Sequence, residues 1–164
     1  MIHESPKKVP DPHNYMISNS QILLIFGLIW LALIASGFWE AYVEGRNAWD
    51  KGKLGPRFQM GGFVLTGYHF ALFWVMYPAL LAIPFVITGW NVQLFGVMLS
   101  AYTIGMVLED FTWYLVNPAV QFSEWFTEFS DYYPWIRIGG KKIIPVGYPV
   151  GFLVSFLSYW FLWR

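Results

Sequence analysis

Long apolar blocks dominate this chain, with polar residues gathered into the short stretches between them. A bilayer core about 30 Å thick needs roughly 20 mostly apolar residues per helix. Four blocks qualify, at about 22–39, 61–87, 92–116 and 146–163. The first and last contain no charge, the second has His69 as its only ionisable side chain, and the third carries Glu109 and Asp110. The first block is too long for a signal-peptide core and ends in Trp39-Glu40, without a small-residue cleavage site. Pro78 and Pro84 fall inside the second block, so that helix is expected to bend near Pro78 or stop near Pro84. Thr88-Gly89-Trp90-Asn91 then forms a tight turn into an antiparallel third helix.

The segments between blocks have their own patterns. Residues 1–20, with Pro6, Pro10 and Pro12, read as an extended tail in front of a single membrane domain over 21–164. Glu40, Glu44, Arg46, Asp50 and Lys51 predict that the first helix runs a turn or two into water before Gly52, Gly55 and Pro56 break it. Asn117-Pro118 marks a boundary, because the residue before proline is pushed out of the helical region. Beyond it, Phe122, Trp125, Phe126 and Phe129 recur at helical spacing, with Glu124, Glu128 and Asp131 on another face. That pattern predicts a short amphipathic helix over about 119–131, lying in the membrane interface. The expected fold is therefore all-α and integral to the membrane: a four-transmembrane-helix bundle with an interfacial amphipathic helix between helices 3 and 4.

Composition sharpens the picture. Of 164 residues, 57% are hydrophobic and only 12% charged, half the share usual in soluble domains, and net charge is zero. The mean hydropathy is +0.46. Without a basic excess the chain lacks a nucleic-acid footprint. Zero cysteines exclude disulfides, thiolate zinc, Fe–S clusters and covalent haem. Bis-histidine haem does not fit either, since His3 and His13 lie in the tail and only His69 in a span. Loops 40–60 and 117–145 hold seven Lys/Arg, against three on the opposite side. The positive-inside rule puts those loops in the cytoplasm and both termini outside. Trp90, Trp160 and Trp163 mark one interface, and Trp39, Trp113 and Trp135 the other.

Small residues at four-residue spacing, Gly147, Gly151 and Ser155 on the fourth helix and Gly96 with Ser100 on the third, predict close helix contacts. The chemistry concentrates in the ionisable groups that lipid excludes at a cost of about 2.5–3.5 kcal/mol each. At about 1.5 Å per residue, His69 lies about 12 Å and Glu109 about 10.5 Å from the same loop side. Adjacent helix positions point about 100° apart, so Glu109, in line with Tyr102 and Trp113, and Asp110, in line with Thr103, Tyr114 and Asn117, face different directions. The candidate catalytic residues are His69, Glu109 and Asp110. With Glu40 and Glu124 they also form a candidate carboxylate–histidine set for Fe, Mn or Zn. A purely structural hydrogen-bonded pair and acid–base work on a lipid-soluble substrate are the competing readings.

The run Leu108-Glu109-Asp110-Phe111-Thr112-Trp113-Tyr114-Leu115-Val116-Asn117-Pro118 resembles a segment of small prokaryotic multi-pass membrane proteins of uncharacterised function, with the pattern Glu-Asp-Phe-x-Trp-aromatic-x-x-Asn-Pro. The resemblance implies that Glu109, Asp110, Trp113, Asn117 and Pro118 act as one motif at the membrane edge. No GxGxxG, P-loop, GxSxG or HExxH motif occurs. Two functions are expected from these features. The first is a structural or accessory subunit of a larger membrane complex, with other membrane subunits or further copies of the chain as partners. The second is a membrane-embedded enzyme built on the His/carboxylate cluster. A transporter ranks third, because four helices with no internal repeat form a pathway only as an oligomer.

Overall fold

The computed structural model describes residues 16–60 and 63–164. The tail expectation over 1–15, with His3 and His13, lies outside the described residues. The protein is mostly helical, and three helices are long and apolar enough to cross a membrane. They are α1 (Asn19–Glu44), α2 (Gly67–Thr88) and α3 (Val92–Val116). The fourth apolar block, α4, is helical over 147–163, with an α-helical part Gly147–Ser158 and a π-helical end Tyr159–Trp163.

Local chemistry sets the ends. Ser18 caps α1 through a reciprocal box: its Oγ accepts the Gln21 N–H, and Gln21 Oε1 accepts the Ser18 N–H. Helix begins at Asn19. Asn91 caps α3 by accepting the Leu94 N–H at 2.8 Å. In α2 a π-helical stretch, Phe70–Met76, ends two residues before Pro78. A π turn is one way a helix absorbs a proline that offers no N–H, and α2 runs on through Pro84 without stopping.

Two sequence expectations are corrected. The second apolar block does not become helix at residue 61. Two strands, β1 (Arg57–Met60) and β2 (Phe63–Thr66), pair antiparallel, with Arg57 opposite Thr66. Helix starts only at Gly67, whose N–H bonds Pro56 O at 2.7 Å. A Cβ there would meet Pro56 at 2.8 Å, so only glycine fits that approach. The expected interfacial helix over 119–131 is instead two 3-10 turns, Phe122–Phe126 and Glu128–Ser130. Thr127, extended and bonding the Phe129 N–H, interrupts the helical path between them. A second hairpin follows, β3 (Trp135–Ile138) with β4 (Lys141–Pro145), turned by Gly139 and Gly140 at positive φ.

Helix α3 is central, packing on α1 and on α4. Leu33, 1% exposed, fills the hollow left by Gly105, where a Cβ would lie 2.4 Å from Leu33 Cδ1. Trp30 Nε1 donates to Ala101 O across the same contact. Against α4, the Ser100 hydroxyl donates to Ser155 O and the Ser158 hydroxyl to Gly96 O. Gly96 and Gly151 lie against Leu162 and Thr103, whereas Gly147 faces open space. Small residues and interhelical hydrogen bonds supply the packing that hydrophobicity cannot supply in lipid.

Candidate functional site

At the loop-side end of the bundle the helices bring three ionisable side chains together. Glu40 and Glu44, one turn apart on a single face of α1, meet His69 from the first turn of α2. Ligand-type atoms from all three lie within 4.8 Å of one another, and all three residues are buried. His69 Nε2 is 3.9 Å from Glu44 Oε1.

The hairpin explains how His69 gets there. Thr66 ends β2 and caps α2: its Oγ1 accepts the His69 N–H at 3.3 Å and sits 2.7 Å from His69 Nδ1. With Nδ1 engaged by Thr66, Nε2 is left to face the carboxylates, the arrangement by which an outer partner orients a histidine ligand. The Trp49 indole stacks on the imidazole at 4.1 Å and donates its N–H to Val64 O. Lys53 Nζ pairs with Glu44 Oε1 at 2.6 Å.

Burying two carboxylates side by side is costly unless each is paired. Lys53 pairs with Glu44. Glu40 is 4% exposed, and its Oε1, like Glu44 Oε1 apart from the ion pair with Lys53, is buried without a hydrogen bond of good geometry. Tyr68 and Trp113 approach Glu40 and Glu44, but neither the Tyr68 hydroxyl nor the Trp113 indole N–H completes a hydrogen bond of good geometry. Glu109, on α3, is also buried. Glu40, Glu44 and His69 offer three ligand atoms close enough together to hold a cation.

The structure divides the residues singled out in the sequence. It brings Glu40 and His69 together, while Glu109 is buried on α3 outside the three-ligand set. It takes Asp110 elsewhere: the Tyr133 hydroxyl donates to Asp110 Oδ1, and the Tyr148 hydroxyl donates to Oδ2 at 2.5 Å. Burial pushes the Tyr133 phenol far above its usual range, so it remains a donor. Glu124 is also elsewhere, in a two-pronged pair with Arg46 at 2.7 and 3.1 Å. That pair, with the Gln121 N–H, lowers the Glu124 carboxyl to about 2. Asp110 and Glu124 are therefore satisfied structural groups outside the cluster.

Glu44, Lys53 and Trp49 were not among the residues singled out. The spacing Glu-x-x-x-Glu over 40–44 signals a shared helix face, but Glu44 reads as the solvated end of the helix, whereas it is 7% exposed. No family model matches the chain, and neither curated proteins nor solved structures show a significant match.

Proposed function

We propose that the protein is a four-span membrane metalloprotein that holds one divalent ion at Glu40, Glu44 and His69 and uses it on a lipid-soluble substrate. The observation that carries this reading is the buried meeting of the three ligand groups together with the unpartnered Glu40 Oε1. Carboxylate and imidazole donors suit Zn, Fe or Mn. Three protein ligands leave a coordination position open, as catalytic sites require. The ion would supply Lewis acidity or an acidified water there. Glu40, Glu44 and His69 would hold it, and Thr66 orients His69. Trp39, Tyr42 and Val43, beside the carboxylates on α1, are exposed toward the lipid from which an apolar substrate arrives.

The fourth span is α4, 17 helical residues long and at the lower limit for crossing. With four spans both termini share one side, and the seven Lys/Arg of the two loops put that side outside. The turns over 122–130 then lie at headgroup level, with Phe122 and Phe126 exposed. The resemblance around 108–118 fits this placement, although Asp110 and Asn117 serve packing: Asn117 Nδ2 donates to Gly45 O.

A second reading, an accessory subunit of a larger complex, is favoured by apolar residues exposed outside the helices, Leu54, Ile136, Ile138 and Ile143. Gentle purification, followed by metal analysis and identification of co-purifying subunits, separates the two. About one Zn, Fe or Mn per chain, lost in Glu44→Gln and His69→Ala, is the expected result. A metal-free protein found only within a larger assembly overturns the metalloprotein reading and leaves the subunit role.

A further inference from the structure

The Glu44 oxygen that faces His69 Nε2 at 3.9 Å is the same Oε1 that Lys53 Nζ contacts at 2.6 Å. We infer that Lys53 is the resident cation of this site, and that an incoming divalent ion displaces it from Glu44 by swinging residues 52–55 outward. This inference rests on the metal-site reading above.

The conflict is one of charge and space. A metal bound to a carboxylate oxygen sits at about 2.0–2.2 Å from it. With Lys53 on the same Oε1, ammonium and metal would be no more than about 5 Å apart in a buried setting, where like charges are poorly screened. One of them must leave. Lys53 is 15% exposed at its side chain, so its present position is a docked one. Its other partners, Asn47 O at 2.5 Å and the Tyr68 ring at 5.9 Å, are few and easily replaced by water.

The loop is built to let it go. Gly52 and Gly55 flank Lys53-Leu54 with φ of +66° and +98°, conformations that glycine adopts freely. Leu54 is 93% exposed and holds nothing in place. Upstream, Trp49 is pinned by its hydrogen bond to Val64 O and its stacking on His69. The moving part is therefore the short segment 52–55, while the Trp49 cover over the imidazole stays. Lys53 keeps Glu44 paired when no metal is present, and metal loading releases it to solvent.

The apparent affinity of a ligand falls with the fraction of protein in the competent state, so removing Lys53 tightens metal binding. The test uses full-length protein in detergent micelles. Amine-reactive labelling of Lys53, followed by mass spectrometry with exposed Lys141 as internal reference, is measured with and without Zn²⁺. Zn²⁺ affinity is then compared between wild type and Lys53→Met. The expected results are labelling of Lys53 that rises about tenfold at saturating Zn²⁺, and Zn²⁺ binding about tenfold tighter in Lys53→Met. If Lys53→Met does not fold, the wild-type labelling decides alone. Lys53 that stays protected at saturating Zn²⁺, with no gain in affinity in the variant, overturns the displacement and leaves the metal site standing. Wild type and variant that both take up no Zn²⁺ overturn the metal site itself.

Discussion

His69 Nε2 and Glu44 Oε1 approach to 3.9 Å although they belong to different helices and are separated by a loop and a hairpin. The relationship depends on where α2 begins. Because β2 runs to Thr66, His69 falls in the first turn of α2, level with the last turn of α1, where Glu40 and Glu44 are buried.

Thr66 fixes the imidazole, so removing its hydroxyl loosens the site without touching a ligand. Thr66→Val is expected to weaken metal affinity about 10–100-fold, the usual cost of losing an outer partner. The measurement is a metal titration of the purified variant, with helix content by circular dichroism showing that the fold persists.

Asp110 with its two tyrosines ties α3 to α4 and to the segment before β3. Tyr148→Phe removes one donor from a buried carboxyl and is expected to cost about 1–3 kcal/mol of stability, read as a lower melting temperature in detergent. Metal stoichiometry should be unchanged, because Asp110 lies outside the Glu40/Glu44/His69 cluster.

Gly37 brings α1 onto α3: a Cβ there would lie 2.6 Å from the Glu109 carbonyl oxygen, whereas at Gly27 nothing lies within 4 Å. Gly37→Ala should destabilise the protein by about 1–3 kcal/mol through overpacking against backbone, and Gly27→Ala should be near neutral. Paired thermal melts check the contrast.

The Arg46–Glu124 pair makes a pH prediction. The Glu124 carboxyl lies at about 2 in the folded protein against an ordinary 4.5. A lowered folded value contributes stability that is present above about 4.5 and is lost as pH falls toward 2. Glu124→Gln should flatten that part of the stability profile over this window. The difference should shrink at high salt, since the pair is exposed.

Much of the fold was legible from apolar block length: α3 runs over the expected 92–116, and α1 covers its block with three added residues at its N-terminal end and five at its C-terminal end. The two hairpins were missed. In the sequence a Gly-Gly pair separates each pair of strand segments, at 61–62 and 139–140, a recognised hairpin signal. In the first, the continuous hydrophobicity of Phe63-Val64-Leu65 hid it within the apparent span. The site was legible in part. Glu40, His69 and Glu109 stand out as ionisable groups within or at the ends of apolar blocks. Which carboxylate turns toward His69 depends on helix rotation and on the hairpin, and neither is written in local spacing. Glu44 looked solvated because the polar residues after it suggested water, when the 45–56 loop folds back to cover it.

Topology tests the span count. With α4 crossing, tags at the two termini are expected on the same, outer side of the membrane, both open to protease added to intact cells. Termini on opposite sides would mean that only the three longer helices cross.

The most direct measurement is a Zn²⁺ titration of chelator-stripped protein in detergent, run on wild type, Glu40→Gln, Glu44→Gln, His69→Ala, Asp110→Asn and Glu124→Gln. The expected result is one saturable ion per chain in wild type, Asp110→Asn and Glu124→Gln, with affinity reduced about 100-fold or more in the other three. Wild-type protein that binds no ion, or His69→Ala that binds as tightly as wild type, would contradict a metal held by Glu40, Glu44 and His69.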